Sequence, residues 1–332
     1  MRKSLSSGRI FGGLIIGLCL SGFSLGQSIS TYESYLAVCT SKTGHRALIA
    51  LRKFERAGQR YYLLVDPNRL MTIIRPASEF EVAEESWEDI RQKFKMTPYG
   101  EAIRDAELNS KVYQNAGITH FFSTRTGIAL TVDLCPSQRP LDRILFSELI
   151  KEFGQKEKPV PVAVAVTGLW MEKHEPDLRW LLGLEESGAM AITWINHSYN
   201  HRTDKNLPLK ENFLLERGTN LRFEVLETEK AMIKQGLTPS VFFRFPGLVS
   251  DSRLFHLITA LGLIPVGSDA WLGKNQWPKV GSIVLVHANG NEPIGIRRFL
   301  ELIHKERENI INKHWLLFDL RESLMESEKE EY

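Results

Sequence analysis

The chain has 332 residues, of which 43% are hydrophobic and 25% are charged. That apolar fraction can bury a core, which excludes a disordered, collagen-like or low-complexity chain. Lys and Arg number 42 against 40 Asp and Glu, so no basic surplus indicates a nucleic-acid partner. The length allows one large domain, or one large and one small domain, because an α/β barrel alone takes about 250 residues.

The first 26 residues have the pattern of an export signal. Residues 1–9 contain three cations and no acid, residues 10–20 are apolar, and small residues precede a cut near Gly26. An uncleaved membrane anchor is the alternative, although the apolar run is short for a span. We therefore expect residues 1–26 to be a signal peptide. The protein would be exported, periplasmic or extracellular, without a stable membrane span after cleavage.

Two cysteines, Cys39 and Cys135, remain after this cleavage. Export permits a disulfide, but the two residues are far apart in sequence. A bridge and two separate buried thiols both stay open at this point.

Residues 27–125 carry no recognisable chemistry and are expected to be a small accessory α+β region. The apolar runs and the turn sequence Asp66-Pro67-Asn68 predict a hairpin, and helical spacing predicts two helices. These predicted elements are strands at 61–65 and 70–74 and helices at 87–94 and 99–115.

Residues 126–321 alternate short apolar runs with amphipathic runs. Predicted strands cover 128–132, 160–166, 189–195, 241–243, 263–267 and 282–286. Predicted helices cover 141–153, 177–186, 221–235, 251–261 and 293–307. Repeated β/α units predict a parallel sheet or barrel. The acidic sequence at 322–332 is expected to be a solvated tail.

Polar side chains follow nearly every predicted strand of this region. In parallel α/β folds the carboxyl ends of strands converge on one face, where sites are built. We therefore expect one concave site there. Its members would be Asp133, His197, His201, Arg244, Asp269 and His287.

Each of these residue types suits one task in a hydrolytic site. The i, i+4 spacing of His197 and His201 lets both imidazoles share a cation such as Zn²⁺; two solvated histidines are the alternative. Asp133 suits a general base or a loop cap, and His287 a general acid or a satisfied buried histidine. Arg244 would hold a carboxylate bidentately or form a surface ion pair.

Taken together, these segments resemble the polysaccharide deacetylase family, the NodB-homology carbohydrate esterases. Five motifs match in chain order over roughly residues 125–320: Leu130-Thr131-Val132-Asp133, His197-Ser198-Tyr199-Asn200-His201, Arg244-Phe245-Pro246, Asp269-Ala270-Trp271 and Leu285-Val286-His287. The resemblance implies an α/β fold, a distorted (β/α) barrel with fewer than eight complete strands. It does not reach residues 27–125.

The resemblance also implies an activity, the removal of acetyl groups from an N- or O-acetylated polysaccharide or peptidoglycan. A divalent metal, expected to be Zn²⁺, would be bound by His197 and His201. Asp133 would be the base, Arg244 would orient it, and Asp269 would orient the acid His287. Substrate contacts would come from Tyr199, Pro246 and Trp271, and a backbone N–H near Tyr199 or in the Asp133 loop would help to hold the oxyanion.

One position departs from the family pattern. The first motif usually carries two adjacent acids, of which the second ligates the metal, and here that second position is Leu134. A leucine cannot bind a cation, so the third ligand is open among Asp133, Asp204, an asparagine, water and a Cys135 thiolate, which Zn²⁺ would accept. A secreted carbohydrate-binding protein that has lost metal and activity is the alternative function.

Overall fold

A computed structural model describes residues 28–44 and 46–325, so the predicted signal sequence and residues 326–332 lie outside the described residues. The strands are β1 Ile29–Ser41, β2 Ala47–Arg56, β3 Gln59–Asp66, β4 Met71–Pro76, β5 Phe80–Glu84, β6 Gly127–Leu134, β7 Val160–Val166, β8 Met190–Asn196, β9 Phe242–Phe243, β10 Ile264–Pro265, β11 Ala270–Trp271, β12 Ile283–His287 and β13 Leu316–Leu317. The α-helices are α1 Trp87–Lys93, α2 Pro98–Leu108, α3 Arg143–Phe153, α4 Gly168–Lys173, α5 Glu175–Glu186, α6 Leu221–Lys234, α7 Ser252–Ala260, α8 Pro293–Lys305, α9 Arg307–Ile311 and α10 Leu320–Met325.

The N-terminal region is an antiparallel sheet with the order β4-β3-β2-β1-β5, followed by α1 and α2. The β3–β4 pairing confirms the predicted hairpin. The expected continuation of the second helix to residue 115 is wrong. Helix α2 ends at Leu108, and the Asn109 side-chain amide then donates to the backbone carbonyls of Asn115 and Gly117, which folds these residues into a loop.

The parallel strands follow the order β10-β9-β8-β7-β6-β12-β11, with β13 beside the start of β6. Only residues 266–269 separate β10 from β11, so one short segment pairs with β9 at its start and with β12 at its end. The two ends of the strand order, β10 and β11, are therefore joined by this segment. The result is a barrel that is distorted where this segment changes partner, and the predicted fold class is confirmed.

Strand β6 presents two different faces because successive side chains point to opposite sides of a strand. Thr131 and Asp133 point to the barrel interior, where both contact Arg244. Val132 and Leu134 point the other way and pack in the apolar layer under the helices, together with Leu145. Leu134 therefore faces away from the interior that holds the polar side chains.

The antiparallel sheet and the barrel share one hydrophobic core. Leu51 of β2 packs in the same cluster as Phe255 of α7 and Ile264 of β10. Arg52, fully buried, forms a two-point ion pair with Glu229 of α6, with Nε–Oε2 and Nη2–Oε1 distances of 2.6 and 2.9 Å. The N-terminal sheet thus contacts the barrel through both apolar side chains and a buried ion pair.

Residues 322–325, expected in the solvated tail, belong to α10, which packs against β6 and β7.

Within residues 28–44 and 46–325, no helix combines the length and the apolar character that a bilayer span requires.

Candidate active site

The predicted catalytic residues of β6 and β12 lie side by side. These strands are parallel neighbours, and their register places His287 directly beside Asp133. His197 follows β8, and its Nε2 lies 3.6 Å from Oδ2 of Asp133. The structure therefore brings the expected base, one expected metal ligand and the expected acid to a single edge of the barrel.

The guanidinium of Arg244 binds the Asp133 carboxylate inside the barrel. Its guanidinium is fully buried, and Nη1 donates to Oδ1 of Asp133 at 3.1 Å and to the hydroxyl of Thr131 at 2.7 Å, while Nη2 donates to the carbonyl of Gly267 at 2.8 Å. A buried guanidinium that donates to a carboxylate oxygen fixes the rotation of that carboxylate. Oδ2 of Asp133 is left on the side of His197.

The tautomer of His197 is set by its surroundings. Nδ1 lies 2.9 Å from the backbone carbonyl of Arg244. A carbonyl only accepts, so Nδ1 carries the proton and Nε2 offers a lone pair. Nε2 of His201 is buried and has no hydrogen-bond partner among the described residues. The two ring centroids are 4.9 Å apart, and both histidines are thereby suited to bind a cation.

Glu224 of α6 holds the loop that carries both histidines. This buried carboxylate accepts from the backbone N–H groups of Tyr199 and Asn200, both at 2.9 Å, and from the Asn200 side-chain amide at 2.6 Å. The loop also contains Ser198 and His201 with positive φ angles of 68° and 45°, a backbone shape that needs such support. Glu224 was not foreseen from the sequence.

Cys135 lies inside the group of histidines. Its Sγ is 3.6 Å from Nε2 of His197, and the ligand atoms of Cys135, His197 and His201 all lie within 4.8 Å of one another. Cys39 is in β1, and both thiols are free, so the disulfide alternative is wrong. Asp204 does not belong to this group; it is exposed and accepts from the N–H of Asn206 in a local turn.

The electrostatics of this group favour a thiolate at Cys135. Burial raises the pKa of the Cys135 thiol, but the charge of His201 and the polar contacts with His197, His201 and His287 bring that pKa well below its ordinary value. Burial lowers the pKa of His201, yet the Cys135 charge and hydrogen bond outweigh burial and raise it. The site is therefore polar and charged although its floor is closed to solvent.

His287 is oriented by Glu292. Nδ1 of His287 lies 3.1 Å from Oε2 of Glu292, and the same carboxylate accepts from the indole N–H of Trp271. Burial lowers the pKa of His287, but hydrogen bonds with Cys135 and Glu292 and nearby negative charges raise it well above its ordinary value. A protonated His287 suits the role of general acid.

The expectation that Asp269 orients His287 is wrong. The β11–β12 register pairs Ala270 with Val284, so Asp269 stands opposite Ile283. That position is four residues before His287, about 13 Å along the strand. Asp269 instead contacts Nδ1 of His120 at 2.8 Å and the Ser282 hydroxyl at 3.2 Å. The predicted strand 263–267 is interrupted after Pro265, and Asp269 lies at a bend before β11 instead of at the end of a strand.

The three expected substrate contacts have different surroundings. Trp271 stands beside His287, with ring centroids 5.5 Å apart, and Nζ of Lys274 lies 3.8 Å from the centre of its ring. The hydroxyl of Tyr199 donates to Glu172, and its backbone N–H is already bound to Glu224, so that N–H is not available for an oxyanion. Pro246 is buried and offers no surface.

Glu224 and Glu292 were not predicted from the sequence, and Cys135 was one of several open alternatives for the third ligand. Cys135 had a usable signal, because it stands two positions after Asp133 and so extends the same inward face. Glu224 had none, since it lies on α6, 24 residues along the chain from Asn200. Glu292 is only five residues from His287, but no local pattern predicts that the chain turns back after β12 and brings its carboxylate to the ring.

Comparisons with known proteins find one family model and several solved structures. A family model described as the RP012 protein N-terminal domain matches residues 31–100. A family 4 carbohydrate esterase from Bacillus anthracis is similar in structure at 20% identity, over 68% of this chain and 91% of that chain, with a TM-score of 0.46. A CE4 family pseudoenzyme from Bacillus anthracis is similar at 14% identity, over 63% and 69% of the two chains, with a TM-score of 0.43. Peptidoglycan deacetylase PdaC from Bacillus subtilis is similar at 16% identity, over 60% and 90%, with a TM-score of 0.41. These likenesses concern the fold alone, and the roles of individual residues rest on the site itself.

Proposed function

We propose that this chain is a metal-dependent hydrolase that removes acetyl groups from an N- or O-acetylated polysaccharide, peptidoglycan included. The observation that carries the proposal is the meeting of Asp133, the His197–His201 pair and His287 at one edge of the barrel. The order of the five motifs supports the substrate class. The signal-like sequence at 1–26 supports action outside the cytoplasm.

The donor set fits a divalent cation such as Zn²⁺. His197 presents an unprotonated Nε2 and His201 a buried Nε2 without a partner among the described residues. Imidazole is a ligand that Zn²⁺ prefers. When bound, the cation would polarise the acetyl carbonyl and make a water molecule more acidic.

The protein side chains divide the proton transfers between them. Asp133 accepts a proton from the attacking water as the water oxygen adds to the acetyl carbon. Arg244 donates to Oδ1 of Asp133 and leaves Oδ2 on the side of His197. His287 donates its proton to the leaving nitrogen or oxygen as the C–N or C–O bond breaks, which yields acetate and a free amine or hydroxyl. Glu292 holds the ring of His287 during this transfer.

The test is acetate release by the purified chain from chitin oligomers and from peptidoglycan, before and after treatment with a chelator. We expect release to stop on chelation and to return with Zn²⁺. His287→Ala is expected to lower turnover by about 10²-fold or more. The matched control is His120→Ala, which removes a ring bonded to Asp269 at the other end of the barrel. Release that survives both chelation and His287→Ala would contradict the proposal.

Leu134 is the observation that favours the alternative, a carbohydrate-binding protein without metal or activity. Binding of the same glycans without acetate release, together with no bound metal, would establish that alternative.

The pH dependence of turnover tests the pairing of His287 with Glu292. The Glu292 carboxylate stabilises the charged ring, so Glu292→Gln should lower the pKa of His287. Because the protonated ring is the active form, the high-pH limit of turnover should move to lower pH by about one pH unit or more. The control is Glu185→Gln, since Glu185 likewise accepts from an indole, that of Trp194, but lies on α5. An unmoved limit in Glu292→Gln would mean that this carboxylate does not control the acid.

A further inference from the structure

We propose that the Cys135 thiolate is the third protein ligand of the metal, so that the site is a Cys-His-His centre. This inference rests on the proposed function in one respect, namely that His197 and His201 bind a cation. It concerns a residue that lies next to the position where the deacetylase motif has its second acid.

The backbone directs Cys135 and Leu134 in opposite directions. Alternation along β6 sends Leu134 outward, where it is fully buried among apolar side chains. The next residue returns to the inward side and places Sγ 3.6 Å from Nε2 of His197. Leu134 cannot bind a cation, whereas the next residue, Cys135, places a strong zinc ligand beside the histidines.

The position of Cys135 is fixed by hydrogen bonds on both sides. Its carbonyl accepts from the side-chain amide of Asn289 at 2.9 Å, and the carbonyl of Leu134 accepts from the Thr167 hydroxyl at 3.1 Å. Cys135 is 8% exposed. A ligand held by its own backbone contacts needs little reorganisation when the cation enters.

The chemistry of the group favours one class of cation. A thiolate carries the same single negative charge as the carboxylate that the motif would place here, so the charge of the centre is preserved. Sulfur together with two imidazole nitrogens suits Zn²⁺ and Co²⁺, and does not suit Mg²⁺ or Ca²⁺, which require oxygen ligands.

Cobalt provides a direct test, because a thiolate bound to Co²⁺ gives a charge-transfer band in the near ultraviolet. The chelator-treated full chain is titrated with Co²⁺, and we expect this band together with visible ligand-field bands. Cys135→Ser should lose the charge-transfer band. It should also bind Zn²⁺ about 100-fold more weakly, because loss of even an outer-shell partner of a metal site lowers the affinity by about 10- to 100-fold. The matched control, Cys39→Ser, should keep the band.

A second variant protects the test against poor folding of Cys135→Ser. Cys135→Asp supplies a carboxylate ligand, and we expect it to retain Zn²⁺ without the charge-transfer band. Visible bands in the wild type without charge transfer, with unchanged Zn²⁺ affinity in both Cys135 variants, would overturn the ligand role but leave the histidine site intact. A wild type that binds neither metal would overturn the metal-dependent function as well. Acetylation of Cys135 during turnover, detected by mass spectrometry, would assign the thiol as a nucleophile instead and overturn the ligand role.

Discussion

Asp133→Asn is expected to lower turnover by about 10²-fold or more while the bound metal remains. The amide can still accept the hydrogen bond from Arg244, but it cannot take a proton from water. The measurement is turnover per metal-loaded, folded chain, with metal content determined on the same sample. Asp269→Asn is the matched control, since Asp269 is also a hydrogen-bonded aspartate beside β12 but lies at its opposite end.

Loss of charge at Asp133 also affects the buried guanidinium of Arg244, which is fully shielded from water. A buried ion whose partner is removed destabilises a protein, so the folded fraction of Asp133→Asn must be measured by circular dichroism. Formate added to Asp133→Gly provides a readout that a purely structural role would not move. A small carboxylate that enters the gap should restore part of the turnover if the missing group is a base.

Three results would contradict these expectations. Loss of metal together with stability would make Asp133 a ligand, because ligand loss and unfolding are coupled. Full activity with full metal would exclude both the base and the ligand. A defect of equal size in Asp269→Asn would contradict the assignment of Asp269 to the far end of the barrel.

Glu229→Gln is expected to cost about 3–5 kcal/mol in the free energy of unfolding. The change keeps the shape of the side chain but leaves the Arg52 guanidinium buried without a counter-charge. Nη1 of Arg52 would keep its bonds to the carbonyls of Leu51 and Leu261, at 2.8 and 2.7 Å, which do not neutralise it. Urea unfolding of the purified chain measures the effect.

An exposed pair in the same sheet provides the control for Glu229→Gln. Lys53 and Glu33 are 3.2 Å apart with side chains 33% and 53% exposed, so Glu33→Gln should cost less than about 1 kcal/mol. The double change Arg52→Met with Glu229→Leu should recover much of the loss, because no charge is then buried alone. If Glu229→Gln lowers the free energy of unfolding by no more than Glu33→Gln does, the Arg52–Glu229 pair contributes no more to stability than an exposed pair.

The Arg52–Glu229 pair also has a consequence for the site. Glu229 and Glu224 lie on the same helix, α6, and Glu224 holds the loop of His197 and His201. The N-terminal sheet is therefore connected through one helix to the loop that carries His197 and His201. We expect Glu229→Gln to weaken Zn²⁺ binding in the folded protein, which calorimetry at low denaturant would measure.

The sequence by itself determined the elements with strong local signals. Strand β7 covers the predicted residues 160–166, because a Val and Ala run with both faces buried has few alternatives. The alternation of apolar and amphipathic runs determined the barrel, and the polar residues after the strands indicated Asp133, His197, His201, Arg244 and His287. These are local properties, since a strand end and the side chain that follows it are adjacent in the chain.

Only the tertiary structure decided which side chains meet. Register between β11 and β12, which no local pattern specifies, moved Asp269 to the far end and left the place beside His287 to Glu292. The pairing of Arg52 with Glu229 joins residues 177 positions apart. The inward turn of Cys135 was readable from alternation, but its position against His197 depends on how two strands and a loop pack. Contacts between distant segments are set by packing, which the order of residues along one segment does not contain.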